Sequence, residues 1–107
     1  MTSQPTEKRK SQRKAVFLQV EIAWVQPDGT RTKENGVTEE VSAHGAVLRM
    51  KTSPPMSVEI EVTNTHTGKS TKARIVGVHR SVGGQKRVAV ELAEPSYLFW
   101  GLKGRTS

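Results

Sequence analysis

Apolar and polar residues alternate along most of the chain, a pattern that is typical of β-strands with one buried face. Every second residue of the first predicted strand is apolar: Val16, Leu18, Val20, Ile22 and Trp24. On the fifth strand Ala73 and Ile75 are predicted to share one face with Gly77. The predicted strands cover residues 16–24, about 32–41, 46–50, 58–62, 72–79 and 87–92. The second of these is predicted from its context more than from its own pattern, which is only weakly apolar on one face. Short strands at this spacing indicate a sandwich or a small barrel.

Turn-forming residues separate these strands. Pro27-Asp28-Gly29 predicts a tight turn, because proline presets one backbone angle and glycine takes a positive φ without steric cost. Similar breaks occur at Ser53-Pro54-Pro55, at residues 64–68 and at Gly83-Gly84. Helix is predicted at the C-terminal end alone, where Pro95 suits a first turn and Gly101 can close a last one. Its apolar side chains are expected to dock on the barrel: Tyr97, Leu98, Phe99 and Trp100.

Composition restricts the chain to one small domain. It has 107 residues, of which 34% are hydrophobic, and a net charge of +7. Residues 1–14 contribute five basic groups against one acidic group, which is typical of an anion-binding arm or of a solvated, disordered terminus. Residues 1–7 and 104–107 are expected to be disordered, and residues 8–103 to form the domain. We expect a soluble, cytoplasmic protein, because no apolar run approaches the ~18 residues that span a bilayer.

The basic arm carries candidate ligand-binding residues. Arg9 and Arg13 are four positions apart, so their guanidinium groups can converge, with Lys8 and Lys10 adding charge. Arginine can donate two hydrogen bonds to guanine O6 and N7, stack on the base and neutralise phosphate. The alternative is a solvated basic run without a ligand.

A second candidate segment is the turn between the second and third strands. Glu40 can accept hydrogen bonds from the ring N–H and the exocyclic amine of guanine, and Ser42 offers a hydroxyl. Gly45 allows close backbone approach or an unusual backbone conformation, and His44 can line a ligand. Ordinary β-turn chemistry would also explain Ser42 and Gly45.

Taken together, the two segments resemble those of the PilZ domain family, whose members bind cyclic di-GMP. The family pattern is Arg-x-x-x-Arg before the first strand and Asp/Asn-x-Ser-x-x-Gly after the second. Arg9-Lys-Ser-Gln-Arg13 matches the first motif, and Ser42-Ala-His-Gly45 matches most of the second. The resemblance extends over residues 8–101. Glu40 departs from the family pattern, which has Asp or Asn at this position. In the family, the residue at the position of Lys8 influences whether one or two ligand molecules bind.

The resemblance implies a six-stranded antiparallel β-barrel of Greek-key type, with a flexible basic arm and a short C-terminal helix. It implies a bacterial receptor that clamps cyclic di-GMP with Arg9, Arg13, Glu40, Ser42 and Gly45, assisted by Lys8, Lys10 and His44, and passes the signal to an unidentified protein. One alternative is a degenerate PilZ domain that has lost the nucleotide and binds a protein. The other is a nucleic-acid-binding barrel, which the low aromatic content of 5% disfavours.

The sequence offers little support for an enzyme or a cofactor. There is no cysteine, no Gly-x-Ser-x-Gly segment and no Walker-type loop. His44, His66 and His79 lack the spacing of metal ligands, and no acidic cluster accompanies them. We therefore expect no catalytic site, no metal site and no cofactor.

Overall fold

The computed structural model describes residues 13–56, 58–80 and 82–101. Six antiparallel strands in these residues form a closed barrel, as predicted, in the order β1-β2-β3-β6-β5-β4. Their bounds are β1 Gln19–Val25, β2 Arg31–Val41, β3 Gly45–Met50, β4 Glu59–Asn64, β5 Ser70–Arg80 and β6 Lys86–Leu92. The predictions for residues 1–7 and 104–107 lie outside the described residues.

The barrel interior contains the apolar residues that the alternation identifies. Its buried apolar side chains come from all six strands, but β2 contributes only Val41, and its other interior positions are occupied by Gly36 and Thr38. A Cβ atom at Gly36 would lie 3.0 Å from both Ile22 Cδ1 and the Arg49 carbonyl oxygen. Only a minimal side chain therefore fits there, which explains why the apolar pattern of β2 is weak. The central buried side chains include Val20, Ile22, Leu48, Ile60, Val62 and Val88.

The first strand begins three residues later than its alternation predicts. Residues before Gln19 instead continue irregularly along the end of β2, where the backbone groups of Lys14 and Val41 exchange two hydrogen bonds of 2.8 Å. The buried Thr38 hydroxyl accepts a hydrogen bond from Leu18 N at 2.8 Å and donates one to the Val16 carbonyl oxygen. The Thr38 side chain thus takes the place of a β2 backbone group as hydrogen-bond partner of Val16 and Leu18, and it attaches the N-terminal segment to the barrel.

The predicted C-terminal helix is a single 3₁₀ turn, Leu98–Trp100. Gly101 closes it with φ 80°, and its N–H donates to the Leu98 carbonyl oxygen at 2.9 Å. Phe99 and Trp100 are buried, with their rings in an edge-to-face contact at 4.8 Å. Leu98 is 69% exposed, so the expectation that it docks on the barrel is wrong. Successive residues of so short a turn point in different directions, and they cannot all face the core.

Two β-bulges determine which side chains face outward near the predicted site. The register shifts between Thr38 and Glu40 on β2, and between Ile75 and Gly77 on β5. On β5 the shift places Gly77 opposite Ala89, on the outer surface, so its predicted position beside Ala73 and Ile75 is wrong. A bulge adds one residue to one strand and reverses the alternation beyond it.

Candidate ligand-binding site

A pocket of about 460 Å³ lies on the outer surface of the barrel, beside the turn between β2 and β3. Five residues predicted from the sequence line it: Arg13, Glu40, Ser42, His44 and Gly45. The other three predicted residues, Lys8, Arg9 and Lys10, lie outside the described residues. The volume falls within the range of about 300–1,000 Å³ that is usual for small-molecule sites.

Arg13 reaches this pocket because the next residue, Lys14, is hydrogen-bonded to Val41 on β2. Its Nη1 lies 3.5 Å from Glu40 Oε1, and the two side chains are 63% and 41% exposed. An ion pair this long and this exposed contributes about 0–1 kcal/mol to stability. Because this ion pair is weak, the guanidinium group of Arg13 and the carboxylate of Glu40 lie close together and can still exchange each other for a ligand.

The turn at residues 42–45 is organised by its own serine. The Ser42 hydroxyl oxygen accepts hydrogen bonds from the backbone N–H groups of His44 and Gly45, each at 3.2 Å. The Ser42 backbone N–H donates to the Gly45 carbonyl oxygen at 2.8 Å. This is the ordinary turn chemistry that the sequence left open as an alternative, and it gives Ser42 a structural role whether or not a ligand binds.

Residues near the C-terminal end hold the same turn in place through hydrogen bonds to its carbonyl oxygens. Trp100 Nε1 donates to the Ser42 carbonyl oxygen at 2.9 Å. The N–H groups of Ser96 and Leu92 donate to the carbonyl oxygens of Ala43 at 2.7 Å and His44 at 2.8 Å. Three successive carbonyl groups of the turn thus accept hydrogen bonds from Leu92, the last residue of β6, and from the segment that follows it. The turn is a preformed wall of the pocket.

Gly45 is required by packing between two strands. It does not have a positive φ, so the unusual conformation considered from the sequence is absent at this residue. A Cβ atom there would lie 2.1 Å from the carbonyl oxygen of Val90 on β6. Glycine therefore allows β3 to approach the β6 backbone.

The pocket also contains residues that the sequence interpretation missed. Its floor includes Val47, Val76 and Ala89, and its far edge is formed by Arg74 and Glu91. Strand alternation already places Ala89, Glu91 and Arg74 on the outer face. Their proximity to the 42–45 turn follows only from the strand order β3-β6-β5, which the sequence did not reveal.

Glu39 lies next to Glu40 and has a different role. Its carboxylate accepts hydrogen bonds of 2.8 Å from Arg49 and from Arg87, which are directly opposite each other on β3 and β6. Burial raises the pKa of Glu39, but the hydrogen bond from Arg49 and the charge of Arg87 outweigh it and hold that pKa below its usual value. Glu39 thereby separates two like charges that would otherwise repel across the strands.

Other site types have little support in the described ranges. No group of three His, Asp or Glu side chains there is arranged to hold a metal ion. Within the same ranges, no helix has the length and apolar character needed to cross a membrane.

Comparison with known proteins does not assign the chain to a family. No family model matches the sequence, and no curated protein matches it. Membership of the PilZ family therefore rests on the motifs at residues 9–13 and 42–45 and stays a prediction.

Proposed function

We propose that this domain is a PilZ-type receptor for cyclic di-GMP and acts by binding rather than by catalysis. The main support is that Arg13, which precedes Glu40 by 27 residues, lines one pocket with Glu40 and with Ser42, His44 and Gly45 of the turn. A receptor for this bacterial second messenger is proposed to act in the cytoplasm.

The side chains around the pocket complement a guanine base. Arg13 can donate to guanine O6 and N7, and Glu40 can accept from the ring N–H and the exocyclic amine. Charge-assisted hydrogen bonds of this kind contribute about 1.5–3 kcal/mol each. Val47 and Ala89 offer an apolar surface for the face of the base. The preformed turn keeps the ordering cost of binding low on this side of the ligand.

The charge of the pocket indicates what the basic arm must supply. Among the described lining residues, Arg13 and Arg74 are balanced by Glu40 and Glu91. A cyclic dinucleotide brings two negative phosphates, so binding requires further cations. We assign this role to Lys8, Arg9 and Lys10. In this proposal, docking of residues 8–12 over the ligand is the change that a downstream protein detects, and the bridge between Lys14 and Val41 anchors the end of this segment on β2.

Titration calorimetry with cyclic di-GMP tests the proposal, with GTP as the control ligand. Arg13→Ala is expected to weaken binding by about thirtyfold, which corresponds to about 2 kcal/mol. Arg31→Ala is the matched control, because Arg31 is exposed on β2 and does not line the pocket. Binding of equal strength in the Arg13 variant and the control would remove Arg13 from the site.

A degenerate PilZ domain that binds a protein instead is the second candidate. The observation that favours it is the balanced charge of the pocket, in which each described arginine already has a carboxylate partner. This alternative predicts no binding of cyclic di-GMP at millimolar concentration. A nucleic-acid-binding barrel would instead bind random oligonucleotides with an affinity that falls steeply as salt is added.

A further inference from the structure

Arg74 and Glu91 form a second arginine–carboxylate pair on the pocket. Nε and Nη2 of Arg74 donate to Glu91 Oε1 at 2.9 and 2.7 Å. This pair lies on β5 and β6, whereas Arg13 and Glu40 lie at the β2 side. Among the described lining residues, each edge of the pocket thus has one guanidinium group and one carboxylate.

The strand register gives the spacing of the two pairs. Glu40 is opposite Val47 on β3, and Gly45, two residues away on β3, is opposite Glu91 on β6. Two strand spacings of about 4.8 Å and two residues of about 3.3 Å separate the Cα atoms of Glu40 and Glu91 by roughly 12 Å. The apolar side chains of Val47 and Ala89 occupy the space between. The two pairs can therefore contact two separate groups of one ligand.

The Arg74–Glu91 pair also has room to rearrange. A second pocket of about 720 Å³ adjoins the first, and both are lined by Arg74, Glu91 and His44. The side chains of Arg74 and Glu91 are 71% and 47% exposed. Exposed ion pairs are weakly held, so a ligand can turn both side chains toward itself without disturbing the barrel.

Building on the proposed function, we infer that Arg74 and Glu91 bind the second guanine of cyclic di-GMP and determine the preference for guanine over adenine. Glu91 accepts from the ring N–H and exocyclic amine, while Arg74 donates to O6 and N7. Adenine has an acceptor nitrogen in place of the ring N–H, and that nitrogen repels a carboxylate. The two guanines of the ligand are equivalent, which matches one arginine–carboxylate pair at each edge.

The test compares cyclic di-GMP with cyclic di-AMP by titration calorimetry. Glu91→Gln is expected to reduce the preference for the guanine compound at least tenfold, with Glu61→Gln on β4 as the matched control. The quantity to compare is the ratio of the affinities for cyclic di-GMP and cyclic di-AMP. Both ligands carry the same phosphates, so the change in electrostatic repulsion between residue 91 and the phosphates cancels in this ratio. Arg74→Ala is expected to weaken cyclic di-GMP binding at least tenfold, with Arg31→Ala as its control.

The outcomes separate this inference from the proposed function. If Arg13→Ala weakens binding but the Arg74 and Glu91 variants behave like their controls, the second guanine is bound elsewhere and only this inference fails. If the unmodified protein does not bind cyclic di-GMP, both fail. Arg74→Lys keeps the charge but loses the planar donor fork. The Arg74→Lys variant is expected to bind cyclic di-GMP more weakly than the parent, and full affinity in this variant would also overturn the inference.

Discussion

Replacing Gly45 by alanine tests how closely β3 must pack against β6. The added Cβ would lie 2.1 Å from the Val90 carbonyl oxygen and 3.1 Å from its carbonyl carbon, whereas ordinary contact begins at 3.4 Å. The strands must therefore separate by about 1.3 Å in a closely packed region. Because the obstructing atoms belong to the backbone, rotation of a side chain cannot relieve the clash.

The expected loss follows from this forced separation. Overpacking in a well-packed region costs about 1–3 kcal/mol, and moving β3 also strains the hydrogen bond from Ser42 N to the Gly45 carbonyl oxygen. We expect a loss of about 3 kcal/mol in the free energy of unfolding. For a domain of this size that lowers the melting temperature by roughly 12–24 °C. Thermal unfolding followed by circular dichroism measures it.

Gly77→Ala is the matched control, because Gly77 also lies in a strand and lacks a positive φ. A Cβ there would meet Ala89 Cβ at 3.8 Å and His79 Nε2 at 3.9 Å, which are ordinary contacts. Alanine should be neutral or stabilise the protein by about 0.5–1 kcal/mol. If the Gly45 and Gly77 variants unfold within about 0.5 kcal/mol of each other, the steric argument is refuted.

Three further predictions concern β2. Thr38→Val leaves two backbone groups of the N-terminal segment unpaired and is expected to cost about 1–3 kcal/mol in urea denaturation; Thr38→Ser, which keeps the hydroxyl, should cost clearly less. Glu39 has a lowered pKa, so its stabilising contribution is present above the usual carboxyl pKa and is lost as the pH falls through the folded-state value. At pH 7 the Glu39→Gln variant should therefore be less stable than the parent by about 1 kcal/mol, after allowance for the exposure of the arginine partners. This difference should shrink at pH 3. An equal difference at both pH values would contradict the stabilising role of the Glu39 carboxylate. Glu40→Asp, which restores the PilZ family's residue type, is expected to bind cyclic di-GMP at least as tightly as the parent in calorimetry, and a large loss would mean that the site is built around glutamate.

Much of the fold could be predicted because the necessary information is local. Alternation of side chains with period two is a property of each strand by itself, and it located the strands whose pattern is clear, whereas β2 was predicted from its context because its own pattern is weak. The closing role of Gly101 was likewise predictable, since a helical turn often ends at a glycine with positive φ. The start of β1 was predicted too early because Val16 and Leu18 also pack against the core, although they precede the strand.

For the candidate site, the sequence by itself determined which chemical groups are present, namely those of Arg13, of Glu40 and of the turn at residues 42–45. Only the tertiary structure decided that they share a pocket with Arg74 and Glu91, since that depends on closure in the order β3-β6-β5. It also decided, through a bulge on each of two strands, which neighbouring residues face outward. Strand order and bulges arise from packing between distant segments, and local periodicity contains no information about either.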